Sequence, residues 1–479
     1  MRLVRLAGLF FLTSLCCFAF SAKAQFTGRP AAILDTLPPG IYAVLKEKLE
    51  RENASIQTDK SKVKSFIKTL QTERFEHVQK LFNDDKIIVS SPLNAYLNEI
   101  VANICKANPE IPADIAVYIE RNSVANATSY GEGTIIVSLA LLSRLENEQQ
   151  LAFAMCHELA HYYLNHTKEA IYRFADLNFD KQLNRQARDI RNDQYGSYTR
   201  MREFMKGIEL TENRHSRTKE FEADEMGLKF LLNSRYADAL APVRTMYILD
   251  SVDHEHYQRN LDFKKYFDFK SYPFKSSWTN YSREELWLVT KDESDTARTH
   301  PSCMRRAAAL SRELAPLKLE ESYVSAITFE TVRKQAMVDL IESNYHFKKY
   351  GRALFDALVL SEQYPDDVWL HAMIGRCLYQ LYVAQEAHVL SKSLEQPGQN
   401  HDENYDRFLK FIHQLRLSEL ENLTYHYVIN QEEEYFNDED FLYTLWLVTH
   451  LKVSQLSPLA VADDYRAKFP NGHYLPLIK

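Results

Sequence analysis

Hydrophobic positions along the chain recur mostly at helical spacing. Residues 59–83 and 92–107 carry apolar side chains three and four apart, the stripe of a half-buried helix. Two short runs break that rhythm. "IAVYIE" at 115–120 alternates with a period of two, and "GTIIVS" at 133–138 is a compact apolar run behind a glycine; both read as strands. A short helix is expected over 138–145, and a longer one from about 146 to 166. The charged stretch 167–208 and then 215–233 read as helical. Residues 25–57, with the turn "TLPPG", and the aromatic stretch 252–298 read as irregular. From about 325 to 479 helix follows helix. The expected fold is mostly α (α+β): a helical domain with a small sheet, then an all-α tail.

Composition supports helices. Gly (12) and Pro (15) are few among 479 residues, too few for the many turns of a sheet-rich protein. A 45% hydrophobic share provides ample core, and the length suits about two or three domains.

The first 24 residues read as a secretory signal. A basic start, "MRLVR", precedes an apolar run, and Ala22-Lys23-Ala24 is an A-x-A cleavage pattern. Retention as an anchor is disfavoured by the short apolar run. A lipid on Cys16 or Cys17 is disfavoured because Leu15 and Cys16 are not small. No later stretch reaches 18 apolar residues, so no transmembrane segment is expected after cleavage. The expected location is the periplasm, or the medium if secretion is complete. Loss of Arg2, Arg5 and Lys23 takes the formal charge from −7 to −10. An acidic chain of this kind is a poor partner for nucleic acid. Cys105, Cys156, Cys303 and Cys377 remain, too few for a disulfide scaffold; Cys156, inside an apolar helix, reads as a buried thiol.

The candidate chemistry lies in "MCHELAHYYLNH" at 155–166. The helix around it is apolar nearly all round, through Leu151, Phe153, Met155, Leu159 and Leu164, so it is expected to be buried. His157 and His161 are four apart and share one face. Two imidazoles so placed can hold one Zn2+ ion, and Glu158 beside them can take a proton from an attacking water. Unpaired imidazoles and a carboxylate in a core helix would be costly, and a metal removes that cost. His166 lies nine positions beyond His157, roughly half a turn out of phase in an unbroken helix, which excludes it as a ligand there. A third ligand must come from elsewhere. In "SRTKEFEAD" at 216–224, Glu220 and Asp224 are also four apart. Glu220 could complete a two-His, one-Glu set, and Asp224 could accept the N–H of a ligating histidine. Read alone, the same pair suits a solvated helix face.

His157-Glu158-x-x-His161, followed 59 positions later by Ser216-Arg217-x-x-Glu220-x-x-Ala223-Asp224, resembles the gluzincin family of the CAAX prenyl endopeptidases and the HtpX heat-shock protease. "PLNAYLNEIVANIC", "SVANATSYGEGTIIVSLALLSRLENEQQLA" and "THPSCMRRAAAL" resemble that family's opening helix, the run before its zinc helix and its closing element. The resemblance covers about 90–312. Thr128, Ser129 and Tyr130 replace more apolar residues. The chain looks closest to exported BepA-like members, which add a C-terminal tetratricopeptide tail. The resemblance implies one zinc ion per chain on His157, His161 and Glu220, with Glu158 as general base. His300 and Arg306 match the closing element. His300 is then a donor to the oxyanion, a block on the open zinc position, or a plain helix cap. Arg306 supports the site or anchors its helix by pairing with an acid.

Three expectations follow. The strand at 133–138, through Ile135, Ile136 and Val137, is expected to receive substrate as an added strand, or else to be a plain edge. The aromatic stretch 252–298 is expected to be a lid or a packed loop. The domains are expected at 1–24 (signal), 25–320 (zincin-like metallopeptidase) and 321–479 (tail). In the tail, Ala353, Pro365 and Gly375 fit positions 20, 32 and 8 of a 34-residue repeat frame that restarts at Val368. Such repeats offer a face to protein partners, whereas a plain helical bundle need not. The function implied is peptide hydrolysis on unfolded or misassembled envelope proteins. The alternative is a chaperone-like scaffold with a structural zinc.

Overall fold

The computed structural model describes residues 40–89, 91–192, 197–250, 260–280, 303–317, 323–325, 327–398 and 403–478. The signal segment 1–24 and His300 lie outside them. The first half holds α1 (Ile41–Ala54), α2 (Ser61–Asn83), β1 (Ile87–Ile88), α3 (Pro92–Ala107), β2 (Ala116–Glu120), β3 (Ala127–Ser129), β4 (Thr134–Ser138), α4 (Leu139–Arg144), α5 (Glu148–Tyr163), α6 (His166–Phe179), α7 (Lys181–Asn192), α8 (Ser197–Asn233) and α9 (Ala241–Asp250). Then come α10 (Phe263–Phe267), α11 (Cys303–Leu314), α12 (Phe329–His346), α13 (Tyr350–Ser361), α14 (Val368–Glu386), α15 (Glu403–Gln414), α16 (Leu417–Ile429), α17 (Glu439–Val448) and α18 (Pro458–Lys468). The fold is mostly helical with one small sheet, as the sequence pattern predicts. No helix among the described residues is long and apolar enough to cross a membrane.

Helix starts follow local chemistry. Ser91 caps α3 ahead of Pro92, Ser138 caps α4, and Asn147 accepts from the Gln150 N–H at 2.9 Å to cap α5. The helix α1 is a correction to the irregular reading of 25–57. Ile41, Leu45 and Lys48 are its buried positions, too faint a stripe to see in sequence.

The sheet runs in the order β1-β2-β4-β3. β2 and β4 are parallel, while β1 and β3 pair antiparallel on the outside. β4 is thus interior. Ile135 and Val137 enter the main core and Ile136 enters a second cluster with Val78, Leu81 and Phe82. This corrects the expectation that Ile135, Ile136 and Val137 receive substrate: both edges of their strand are already paired, so no backbone groups are free for an added strand. The edge strands are β1 and β3, and β3 is the one beside β4.

The cores do not divide where the chain does. Phe329, Val332, Ala336 and Leu340 of α12 pack with the sheet, α3 and α5. Val338 and Ile341 of the same helix pack with α13–α16. The described part of the aromatic stretch joins that second core: Phe263 stacks on Phe411 at 4.5 Å, and Trp278 is buried. Residues 260–280 are therefore packed against the tail rather than free to act as a lid. In the tail, α14 lies against α13, α16 and α17. A Cβ at Gly375 would sit 2.7 Å from Thr444 Cγ2 and 2.8 Å from Val428 Cγ2, so close helix contact needs glycine there. Helical pairs stacked this way are consistent with a helical-repeat tail. Cys105, Cys156, Cys303 and Cys377 are free thiols, with Cys156 and Cys377 fully buried.

Candidate metal centre

The site forms where α5 crosses α8. Three residues of α8 make the crossing close. Glu220, Ala223 and Gly227 are three and four apart and face α5 together. Gly227 packs on the α5 backbone itself: a Cβ there would lie 3.0 Å from both N and Cα of His157. This contact brings a carboxylate on one helix to imidazoles on the other.

His157 Nε2 and His161 Nε2 are 3.1 Å apart. Glu220 reaches them at 3.5 and 3.6 Å through its two oxygens. Ligands about 2.0–2.1 Å from one tetrahedral ion are separated by roughly 3.3–3.4 Å, so the spacing fits zinc. This is the sole group of its kind among the described residues, giving one zinc site per chain. His157, Glu158 and His161 with the distant Glu220 are the HExxH-plus-Glu arrangement of a zinc protease.

Residues 91–314 match peptidase family M48.

No curated protein is detectably similar to the chain. The M48 segment contains β2, β3 and β4, both metal helices and α11, and supports a metal-dependent hydrolase. The segment also orders the groups around the ligands. Asp224 Oδ1 lies 3.0 Å from His157 Nδ1. Arg306, on α11, donates to both Asp224 oxygens at 2.7 and 2.6 Å and lies 3.0 Å from Glu220 Oε2. His157, Glu158, Glu220, Asp224 and Arg306 are all buried. Each ion alone would cost several kcal/mol at such a position, which mutual pairing offsets.

These contacts set the proton positions. Burial and Arg306 disfavour a charged His157, but hydrogen bonds to Asp224 and Glu220 prevail and raise its pKa to about 9. Burial and the neighbouring His157 lower His161 to about 3. Burial raises the Glu158 carboxyl above its ordinary value, against the charge of His157. Asp224 is also buried, yet Arg306 and His157 hold it low.

Two features of the M48 segment escape the sequence reading. The first is the β3 edge beside Glu158: the backbone of Ser129 hydrogen-bonds the Glu158 carboxylate, and its carbonyl accepts from Thr167 Oγ1 at 3.1 Å. The hairpin to β4 turns through Gly131 (φ 93°) and Gly133 (φ 86°), a backbone region that glycine favours. The second is His166. The helix predicted to run to 166 ends at Tyr163, and Asn165 is left-handed at φ 58°. The turn brings His166 Nδ1 to 3.0 Å from His161 Nδ1, so phase counting along an unbroken helix fails. An Asn just ahead of this histidine is the available signal, since Asn tolerates that conformation.

Proposed function

We propose that the chain is an exported zinc endopeptidase that cleaves misfolded or misassembled envelope proteins, with its helical tail selecting them. The observation that carries the hydrolytic part is Glu158, buried next to His157 and hydrogen-bonded by the backbone of Ser129 on the edge strand β3. A purely structural zinc has no use for a base in that place. When bound, the ion would supply a Lewis acid that polarises the scissile carbonyl and lowers the pKa of water towards about 7.

The chain's own residues do the rest. His157, His161 and Glu220 hold the ion. Glu158 takes the proton of the attacking water and passes it to the leaving amine. Its raised pKa suits both halves of that transfer. Asp224 fixes the ring of His157, and Arg306 holds Asp224 and one oxygen of Glu220 in place. Substrate pairs with the outer edge of β3, where Ala127 turns its backbone groups away from β4, and not with β4 itself. His300, three residues before α11, donates to the oxyanion.

The N-terminal segment, read as a signal, supports export to the periplasm. Residues 25–320 are proposed as the peptidase domain and 321–479 as a tetratricopeptide-like tail of the BepA-like kind. The start of α14 at Val368 agrees with the repeat frame. Casein cleavage tests the reading. The wild-type protein should cut it, and Glu158→Gln should keep zinc while losing about 10²–10⁴ in rate. A wild type that holds zinc and cuts nothing would leave a scaffold with a structural metal.

A further inference from the structure

We propose that His166, tethered by Glu222, is a positioning residue that fixes the orientation and tautomer of the metal ligand His161. The inference rests on the zinc reading of the site. Both ligating imidazoles need a partner for the nitrogen that faces away from the metal. His157 has Asp224. Among the described residues, what faces His161 Nδ1 is His166 Nδ1 at 3.0 Å. The other nitrogen of His166, Nε2, lies 3.2 Å from Glu222 Oε2.

With His166 neutral, donor and acceptor order along this row follows from the contacts. A carboxylate accepts only, so His166 Nε2 carries a hydrogen and donates to Glu222. Neutral His166 then presents the lone pair of Nδ1. One hydrogen fits between two nitrogens 3.0 Å apart, and it must belong to His161 Nδ1. His161 Nε2 is thereby left as a lone pair, facing His157 Nε2 and Glu220. A row of Glu222, His166 and His161 does for one ligand what Asp224 alone does for the other.

The row is held at both ends. His166 is buried at the start of α6 by the left-handed Asn165. Glu222 is half-exposed, and Lys219 binds it at 2.9 Å while reaching Glu169 of α6 at 2.8 Å. The helix α8 thus supplies three carboxylates with three tasks. Glu220 faces the ion, Asp224 the back of His157, and Glu222 the back of the second row.

Zinc dissociation constants, read by competition with a chromophoric chelator, test this without reference to activity. His166→Leu removes the acceptor while filling similar space, and should weaken zinc by about 10–100-fold. His166→Asn keeps an acceptor near the Nδ1 position and should recover part of that loss. Glu222→Gln should weaken zinc less than His166→Leu. The cobalt-substituted protein should show a changed visible spectrum in His166→Leu. A merely structural role would move the melting temperature of the metal-free protein and leave affinity and spectrum alone. Wild-type affinity in a folded His166→Leu overturns the proposal, as does His166→Asn binding no better than His166→Leu. Failure of the wild type itself to bind zinc would instead sink the metal reading.

Discussion

Gly227→Ala offers a direct test of how the site is built. A Cβ at 227 would sit 3.0 Å from His157 N and Cα and 3.2 Å from Cys156 C. Ordinary carbon contacts are about 3.5–4.0 Å, so α5 and α8 must part locally by about 0.5 Å. The neighbours are backbone atoms of a fully packed helix, and no side chain can swing aside. Two effects oppose. Alanine in place of a mid-helix glycine stabilises by about 1 kcal/mol. Overpacking costs about 1–3 kcal/mol. The metal-free protein can relax part of the clash, and its net change should be a loss of about 0–2 kcal/mol. The metal-bound protein cannot relax, because ligand distances tolerate only about 0.2 Å. Its remaining strain of about 1.4 kcal/mol or more appears as at least a tenfold loss of zinc affinity. Chelator competition reads the affinity, and thermal melts of the metal-free protein read the stability. A variant that binds zinc like the wild type and melts higher would show that the close helix contact does not set the ligand geometry.

Other outcomes follow from the same contacts. Zinc binding at pH 7 should release about one proton, because His157 titrates at about 9 and His161 at about 3. Affinity should rise about tenfold per pH unit from 5 to 9 and level off above; calorimetry in buffers of different ionisation enthalpy would reveal a slope of zero or two instead. The raised His157 favours the metal-free fold fully below its unfolded value near 6.5, and that contribution should fade as pH climbs through about 9. Arg306→Leu leaves Asp224 and Glu220 buried with His157 to share between them and should cost about 3–5 kcal/mol in denaturant melts of the metal-free protein; a loss under 1 kcal/mol would mean the pairing is idle. Asn147→Ala removes the α5 cap and should lower stability by about 1 kcal/mol, with zinc affinity unchanged.

Much of this was legible in the chain before any fold was known. Spacing alone puts His157 and His161 on one helical face and Glu220 and Asp224 on another, because four residues make about one turn wherever a helix forms. The long apolar runs determine that α5 is buried, and the scarcity of Gly and Pro that the chain is mostly helical. Local periodicity determines such things because they depend on neighbours a few residues away.

What only the tertiary structure decided depends on residues far apart. Sheet order is one case: "GTIIVS" reads equally as an edge or a centre, and pairing on both sides makes β4 interior and leaves β1 and β3 at the edges. The use of Arg306 is another, since its acids lie about eighty positions away. A single left-handed residue, Asn165, redirected His166 from the wrong side of a helix to the back of a ligand. Gly227 carries no signal of its own in the sequence; only the packing shows the backbone it touches. Helical phase propagates only while the helix is unbroken, and close approach of two helices is a property of both, so neither could be read from one stretch of sequence.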